Sequence, residues 1–192
     1  MRSFAHLSGN FDVSPNRNFG LSLLQSPFLL LVNSNNFLDY SSIIRLFGIG
    51  VSTTSIFVMY LLARKFFNEK YSIIAASLFA FSPQLNNSAG LGETEALFIL
   101  SLMCSLYFIL RQTNDRLIFL SFVFAGIAYT VRPMGMIMII ILLIIYLINF
   151  RKNLKPSKFV FCIFLFVLII LPISLVRYDQ YGDPLFYGDV SK

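Results

Sequence analysis

The sequence predicts an all-α integral membrane protein with about five or six transmembrane helices and one short re-entrant or interfacial helix. Of its 192 residues, 57% are hydrophobic and only 12% are charged, and the mean hydropathy is +0.75, whereas about 25% of residues are charged in an ordinary globular domain. Apolar runs recur along the whole chain and approach the roughly 20 residues that a helix needs to cross the hydrocarbon core. They lack the two-residue alternation of barrel strands, so helices are expected.

The first apolar stretch, residues 19–32, is too short for a confident crossing and is interrupted by Gln25, Ser26 and Pro27. It is interpreted as a re-entrant or interfacial helix, or as a kinked span, and a polar loop is expected after it at 33–40. Residues 1–18 are mixed polar sequence without the apolar core and cleavage site of a signal peptide. A polytopic chain that opens in this way is expected to have lost its first span.

Six further apolar segments account for the crossings, at residues 42–67, 71–85, 94–110, 117–129, 134–150 and 159–176. The second is short and is expected to end near Pro83, because the residue before a proline is pushed out of the helical region. Pro133 suits the first turn of the helix that follows Arg132, since proline lacks an amide proton. Pro172 is expected to kink the last span. The whole chain is interpreted as a single transmembrane domain.

Charge is distributed unevenly between the loops on the two sides of the membrane. The loops at 64–70, 111–116 and 151–158 hold nine of the 15 basic residues and only two of the nine acidic ones. Because Lys and Arg favour cytoplasmic loops, these three are expected to be cytoplasmic. The acidic loop at 86–98, Arg132 and the tail at 178–192 are then expected to meet at the extracytoplasmic face.

Several kinds of partner and cofactor have no support in the sequence. The net charge of +6 comes from basic residues scattered at the ends of apolar runs, so nucleic acid is not an expected partner. Cys104 and Cys162 lie inside apolar runs without a second ligand at a suitable spacing, and His6 stands alone, so no metal is expected. No glycine-rich phosphate loop occurs, and no cofactor is predicted.

Three charged residues stand where apolar segments end. Glu93 and Glu95 lie two apart at a helix start and would point in different directions on a helix, so both serve one site only if Glu93 belongs to the loop. The alternative is that Thr94 or Glu95 simply favours the helix N-terminus through capping and the helix dipole. Arg132 either extends to the membrane interface or binds a phosphate, for which a guanidinium is well suited.

Five segments, taken in order, carry a resemblance to a known family. They are YLLARKFF at 60–67, SIIAASLFAFSP at 72–83, ETEALF at 93–98, GIAYTVRPMG at 126–135 and YGDPLF at 181–186. Together they resemble the GT-C membrane glycosyltransferases, in the branch of the protein O-mannosyltransferases and related enzymes. The resemblance covers most of residues 19–190. It implies a partial GT-C fold and transfer of mannose or a similar hexose from a polyprenyl-phosphate donor to a protein or lipid acceptor at the extracytoplasmic face.

The resemblance also implies roles for named side chains. An acidic residue would act as a base on the acceptor, and basic residues would hold the donor phosphate. The candidates are Glu95, Glu93 and Asp12 for catalysis, and Arg132, Asp183 and Tyr181 for substrate binding. Within this set, Glu95 is expected to be an acceptor-side or structural carboxylate, and Arg132 is expected to contact the donor phosphate.

The sequence departs from the family pattern at its start. The principal acidic motif of these families lies in a large extracytoplasmic loop after a first span, whereas residues 1–18 are expected to be only the end of that loop, with Asp12 as its one carboxylate. The chain is therefore expected to be a truncated product or fragment, which could make it inactive. Two alternatives stay open, a glycolipid-anchor-type mannosyltransferase and a non-catalytic membrane subunit or transporter fragment.

Overall fold

A computed structural model describes residues 19–30, 37–111, 115–150 and 156–181 of the chain. These residues form eight α-helices, which are α1 Phe19–Leu30, α2 Phe37–Ala63, α3 Glu69–Ala80, α4 Pro83–Leu91, α5 Thr94–Arg111, α6 Asp115–Val131, α7 Met136–Phe150 and α8 Pro156–Tyr181. A short 3₁₀ helix, Pro133–Gly135, joins α6 to α7. The described residues contain no strand, and the predicted all-α class is confirmed.

Three helical stretches in the described part of the chain are long and apolar enough to cross a membrane, at Asp39–Ala63, Thr94–Arg111 and Lys158–Leu175. Two shorter apolar stretches accompany them, Arg116–Val131 and Pro133–Ile148. One side of α7 exposes a row of large apolar side chains, namely Ile137, Ile140, Ile141, Ile144, Leu147 and Ile148. An exposed apolar surface of this kind is suited to contact with lipid. The chain is an integral membrane protein with a partial polytopic fold.

The second predicted crossing and the acidic loop after it differ from the prediction. Residues 86–91 were expected to belong to a loop, but they are helical in α4. Ser82 has an extended backbone (φ −64°, ψ 116°), and Pro83 occupies the first turn of α4, so the proline begins a new helix as well as following the end of α3. The chain turns only at Gly92, whose φ of 68° ends α4 in the left-handed region.

Two other helices also differ from the prediction in their boundaries. The first long helix begins at Phe37, inside the polar loop expected at 33–40, and ends at Ala63, before the predicted end at residue 67. The last helix continues to Tyr181 with Pro172 inside it, although a polar tail was expected from residue 177. Residues 177–181 are polar but contain no glycine or proline, and the first strong stop signal is the run of Gly182, Asp183 and Pro184.

The core of the bundle lies between α5, α6, α7 and α8. Its most enclosed large side chains are Ile109, Phe122, Tyr129, Leu142 and Phe166. Small residues allow the helices to approach closely, as is common in membrane bundles. Ser105 Oγ on α5 donates to the Ser121 carbonyl on α6 at 2.9 Å.

The short helix α1 packs against both α6 and α2. Gly20 lies against the backbone of Thr130 near the end of α6, and the Phe28 ring lies 5.4 Å from the ring of Phe47 on α2. The structure therefore contains the short first helix that the sequence predicted. It also places α1 beside the end of α6, next to the polar site described below.

Candidate functional site

A cluster of polar side chains lies where α5 begins and α6 ends. Glu95 is in the first turn of α5, and Arg132 lies between α6 and the 3₁₀ helix. Arg132 Nη2 and Glu95 Oε1 form an ion pair at 3.0 Å. The Arg132 side chain is 35% exposed and the Glu95 side chain 25% exposed. The pair is therefore partly desolvated but still open to a ligand.

The tight turn between α4 and α5 supplies the second contact of Glu95. Gly92 adopts a left-handed conformation, and a Cβ at this position would clash with the Ile44 side chain on α2. The Glu93 amide donates to the Ser88 carbonyl at 2.9 Å, which folds α4 back onto the start of α5. Ser88 Oγ consequently donates to Glu95 Oε2 at 2.8 Å.

The backbone of Arg132 is held by the helix break that follows α6. Its extended conformation (φ −143°, ψ 133°) is the one that a following proline favours. Its amide donates to the Ala128 carbonyl, and its carbonyl accepts from Gly135, both at 2.9 Å. Gly135 packs so closely on the backbone of Ala128 and Tyr129 that a Cβ would not fit. The side chain of Arg132 therefore starts from a rigid support.

Two further groups contact the Arg132 guanidinium, and both come from α5. Arg132 Nε donates to Thr94 Oγ1 at 3.2 Å. The guanidinium carbon lies 6.0 Å from the ring centre of Phe98, at the outer limit of a cation–π contact. Thr94 and Phe98 are four residues apart and share one face of α5. One face of the α5 N-terminus thus contacts the arginine.

The chemistry of this cluster follows from counting donors and acceptors. Both oxygens of the Glu95 carboxylate accept hydrogen bonds, one from Arg132 and the other from Ser88. A guanidinium carries five N–H donors, and only two of those of Arg132 have partners among the described residues. The remaining N–H groups, at a membrane boundary and on a partly exposed side chain, can bind an anion such as a phosphate.

Comparison with known families identifies the class of protein. The model of the family described as dolichyl-phosphate-mannose-protein mannosyltransferase matches residues 24–175, which is most of the chain from α1 to α8. The chain belongs to this family of mannosyltransferases. The matched region includes both Glu95 and Arg132. No curated protein and no solved structure matches the chain.

Membership of the mannosyltransferase family confirms the GT-C membrane glycosyltransferase class that the sequence motifs predicted. Of the predicted site residues, the structure brings together Glu95 and Arg132. Glu93 is exposed on the turn immediately before α5, and its side chain has no ion pair among the described residues. Asp12 and Asp183 lie outside the described residues. Tyr181 is the last residue of α8, and its side chain is also outside them.

Sequence reasoning missed Ser88, and it considered Thr94 only as a helix cap. Ser88 lies seven residues before Glu95 in a segment that was expected to be a loop. Ser88 lies outside the five segments that carry the family resemblance. The available signal was Gly92, because a glycine between two helices permits the left-handed turn that returns α4 onto α5.

A second feature of the structure, a lateral groove of about 390 Å³ between α2 and α3, is a different kind of surface. Its lining is mostly apolar and contains no charged side chain, with Ile56, Phe57, Ile73 and Phe81 among its walls. Neither of the helices that hold the Glu95–Arg132 pair borders it. The polar cluster, not this groove, therefore carries the groups that can bind an anion.

Proposed function

We propose that the chain transfers mannose from a polyprenyl-phosphate-linked donor to an acceptor at the extracytoplasmic face of the membrane. The observation that carries this proposal is the partly exposed guanidinium of Arg132, which has unused N–H donors at the end of a membrane helix bundle. The family match over residues 24–175 supplies the class of reaction. Because the matched family is described as a protein mannosyltransferase, a protein acceptor is preferred to a lipid.

In the proposed reaction, an acceptor hydroxyl oxygen forms a bond to the anomeric carbon of the mannose. The bond between that carbon and the donor phosphate oxygen breaks, and the polyprenyl phosphate leaves with the bonding electron pair. Arg132 binds the phosphate and stabilises the negative charge that develops on it. Tyr181, the last residue of α8, and Asp183, two residues later in the sequence, are retained as proposed substrate-binding residues.

The hydroxyl proton of the acceptor requires a base. Glu93 is exposed on the turn before α5, so its carboxylate is accessible to an acceptor. Glu95 lies two residues further on, but its carboxylate accepts hydrogen bonds from Arg132 and Ser88. Asp12 is the other proposed base. A base must come within hydrogen-bond reach of the proton that it removes, and Glu93 and Asp12 are the carboxylates to test first.

The test is an assay of membranes that carry this chain with a labelled polyprenyl-phosphate mannose and an acceptor peptide containing Ser and Thr. We expect transfer by the wild type and a loss of about 100-fold or more in Arg132→Ala, as for removal of a charge-stabilising donor. The matched control is Arg64→Ala. Arg64 directly follows the last residue of α2, away from the Glu95–Arg132 pair, and its side chain is half exposed. Absence of transfer by correctly inserted wild-type protein would overturn the proposal.

A further inference from the structure

We propose that Glu95 is a positioning residue that holds the Arg132 guanidinium in place for the donor phosphate, and that it does not accept the proton of the acceptor. This inference rests on the proposed function and concerns the same site. It assigns separate roles to two carboxylates that lie two residues apart. Glu95 acts through Arg132, and the base is left to another residue.

The surroundings of the Glu95 carboxylate support a positioning role. Oε1 accepts from Arg132 Nη2 at 3.0 Å, and Oε2 accepts from Ser88 Oγ at 2.8 Å. Ser88 is only 4% exposed and belongs to α4, so the carboxylate is clamped between two elements. A general base needs an oxygen that can turn toward the acceptor hydroxyl. In Glu95 each oxygen already has a donor from the protein.

The geometry of Arg132 supports the same assignment. Nε and Nη2 lie on one edge of the planar guanidinium, and this edge contacts Thr94 and Glu95. The edge formed by Nη1 and the second Nη2 hydrogen is directed away from that contact. An edge with two parallel N–H groups matches two oxygens of a phosphate. Glu95 therefore fixes which edge of the guanidinium remains for the ligand.

Rigidity explains why such a residue would matter. An arginine side chain has several rotatable bonds, and immobilising such a side chain on binding costs conformational entropy. Thr94 and Glu95 are adjacent in the first turn of α5, so a helix end holds the guanidinium before the ligand arrives. Residues that orient a metal ligand typically change metal affinity by about 10–100-fold when they are mutated, and we expect an effect at the lower end of this range for a residue that orients an arginine.

The experiment is a double-mutant cycle with Glu95→Gln, Arg132→Ala and the double variant, in which KM for the donor and kcat are measured separately. The glutamine keeps the shape of the side chain but removes its charge. We expect Glu95→Gln to raise the donor KM about tenfold with little change in kcat or in the pH profile. In the Arg132→Ala background the same substitution should have almost no further effect.

A second measurement keeps the cycle usable if Arg132→Ala abolishes turnover. Binding of the polyprenyl phosphate alone is measured for the same four proteins, and Glu95→Gln should weaken it about tenfold only when Arg132 is present. The conservative variant Glu95→Asp is expected to recover part of the lost affinity. Thermal unfolding of each variant verifies that the fold is retained.

The opposite results are equally specific. If Glu95→Gln lowers kcat with an unchanged donor KM and removes a limb of the pH profile, Glu95 is the base and the inference is overturned. Tighter phosphate binding by Glu95→Gln would overturn it too, because the carboxylate would then only repel the ligand. If the wild type neither transfers mannose nor binds polyprenyl phosphate, the proposed function fails and the inference fails with it.

Discussion

Glu95 and Arg132 are 37 residues apart in the sequence, and their side chains form an ion pair of 3.0 Å. The segment between them forms one helical hairpin, because α5 runs away from Glu95 and α6 returns to Arg132. Ser105 and Ser121 join the same two helices part-way along, at 2.9 Å. The ion pair therefore closes the open end of a hairpin that is already packed along its length.

The first prediction concerns the stability that this pair provides. Arg132→Ala leaves a partly buried carboxylate without its counter-charge, and we expect the free energy of unfolding to fall by about 1–2 kcal/mol, between the values for exposed and buried pairs. The control is Arg64→Ala, which removes a 3.7 Å pair with Glu69 whose side chains are 48% and 64% exposed. Unfolding in mixed micelles should show no measurable change for the control, because solvent screens an exposed pair. Equal effects of the two substitutions would contradict the prediction.

The second prediction tests the Ser88 hydrogen bond. Ser88→Ala removes a donor to a charged carboxylate, so we expect a loss of about 1–2 kcal/mol in the free energy of unfolding. Ser101→Ala is a matched control, because Ser101 is also buried but donates to the Leu97 carbonyl of its own helix at 2.8 Å. Alanine suits a helix interior at least as well as serine, so the control should be nearly neutral. Comparable losses of unfolding free energy in both variants would show that the hydrogen bond from Ser88 to Glu95 does not add stability.

The third prediction uses two glycines of one helix. A Cβ at Gly48 would clash with the Ala89 carbonyl of α4, whereas a Cβ at Gly50 would meet nothing within 4 Å. Gly48→Ala should therefore push α4 away from α2, displace the neighbouring Ser88 and lower both thermal stability and donor affinity. Gly50→Ala should leave stability unchanged or raise it by up to about 1 kcal/mol, because alanine favours the helix. A stable and fully active Gly48→Ala protein would show that the close contact between α2 and α4 is not needed.

The fourth prediction concerns the sides of the membrane, which were inferred from the distribution of basic residues. A cysteine at Glu93 should react with an impermeant maleimide added outside intact cells, and a cysteine at Lys65 should react only after permeabilisation. Both positions are exposed. The native Cys104 and Cys162 are buried, at 8% and 0% exposure, so background labelling should be low. The reverse pattern would invert the topology and place the polar cluster in the cytoplasm.

Helix breaks whose signal is local were predictable from the sequence. The change of direction at Arg132 and Pro133 depends on the proline, and the structure has Pro133 in the first turn of a new helical segment, as expected. Pro83 carries the same local signal, yet only its effect on the helix before it was considered. A proline is also well suited to the first turn of a helix, and Pro83 begins α4 in this way. The position of Ser88 depends on α4, so it could not be predicted without that helix.

The pairing of Glu95 with Arg132 was not predictable from either residue alone. Each had an ordinary explanation, a helix N-terminus for the glutamate and a membrane interface for the arginine. The information that joins them is the antiparallel packing of α5 and α6, which brings the start of one helix to the end of the other. Helix packing depends on contacts such as the one between Ser105 and Ser121. A hydropathy pattern does not predict such contacts.

The order of these two residues in the chain has a consequence for membrane insertion. Ribosomes add about 5–20 residues per second, so roughly 2–7 seconds separate the synthesis of Glu95 from that of Arg132. During this interval α5 carries a carboxylate whose counter-charge does not yet exist, and charged groups are costly in the hydrocarbon region. We expect the α5–α6 hairpin to be the unit that leaves the translocon. A chain that ends before Arg132 should then show a delayed or reversible integration of α5.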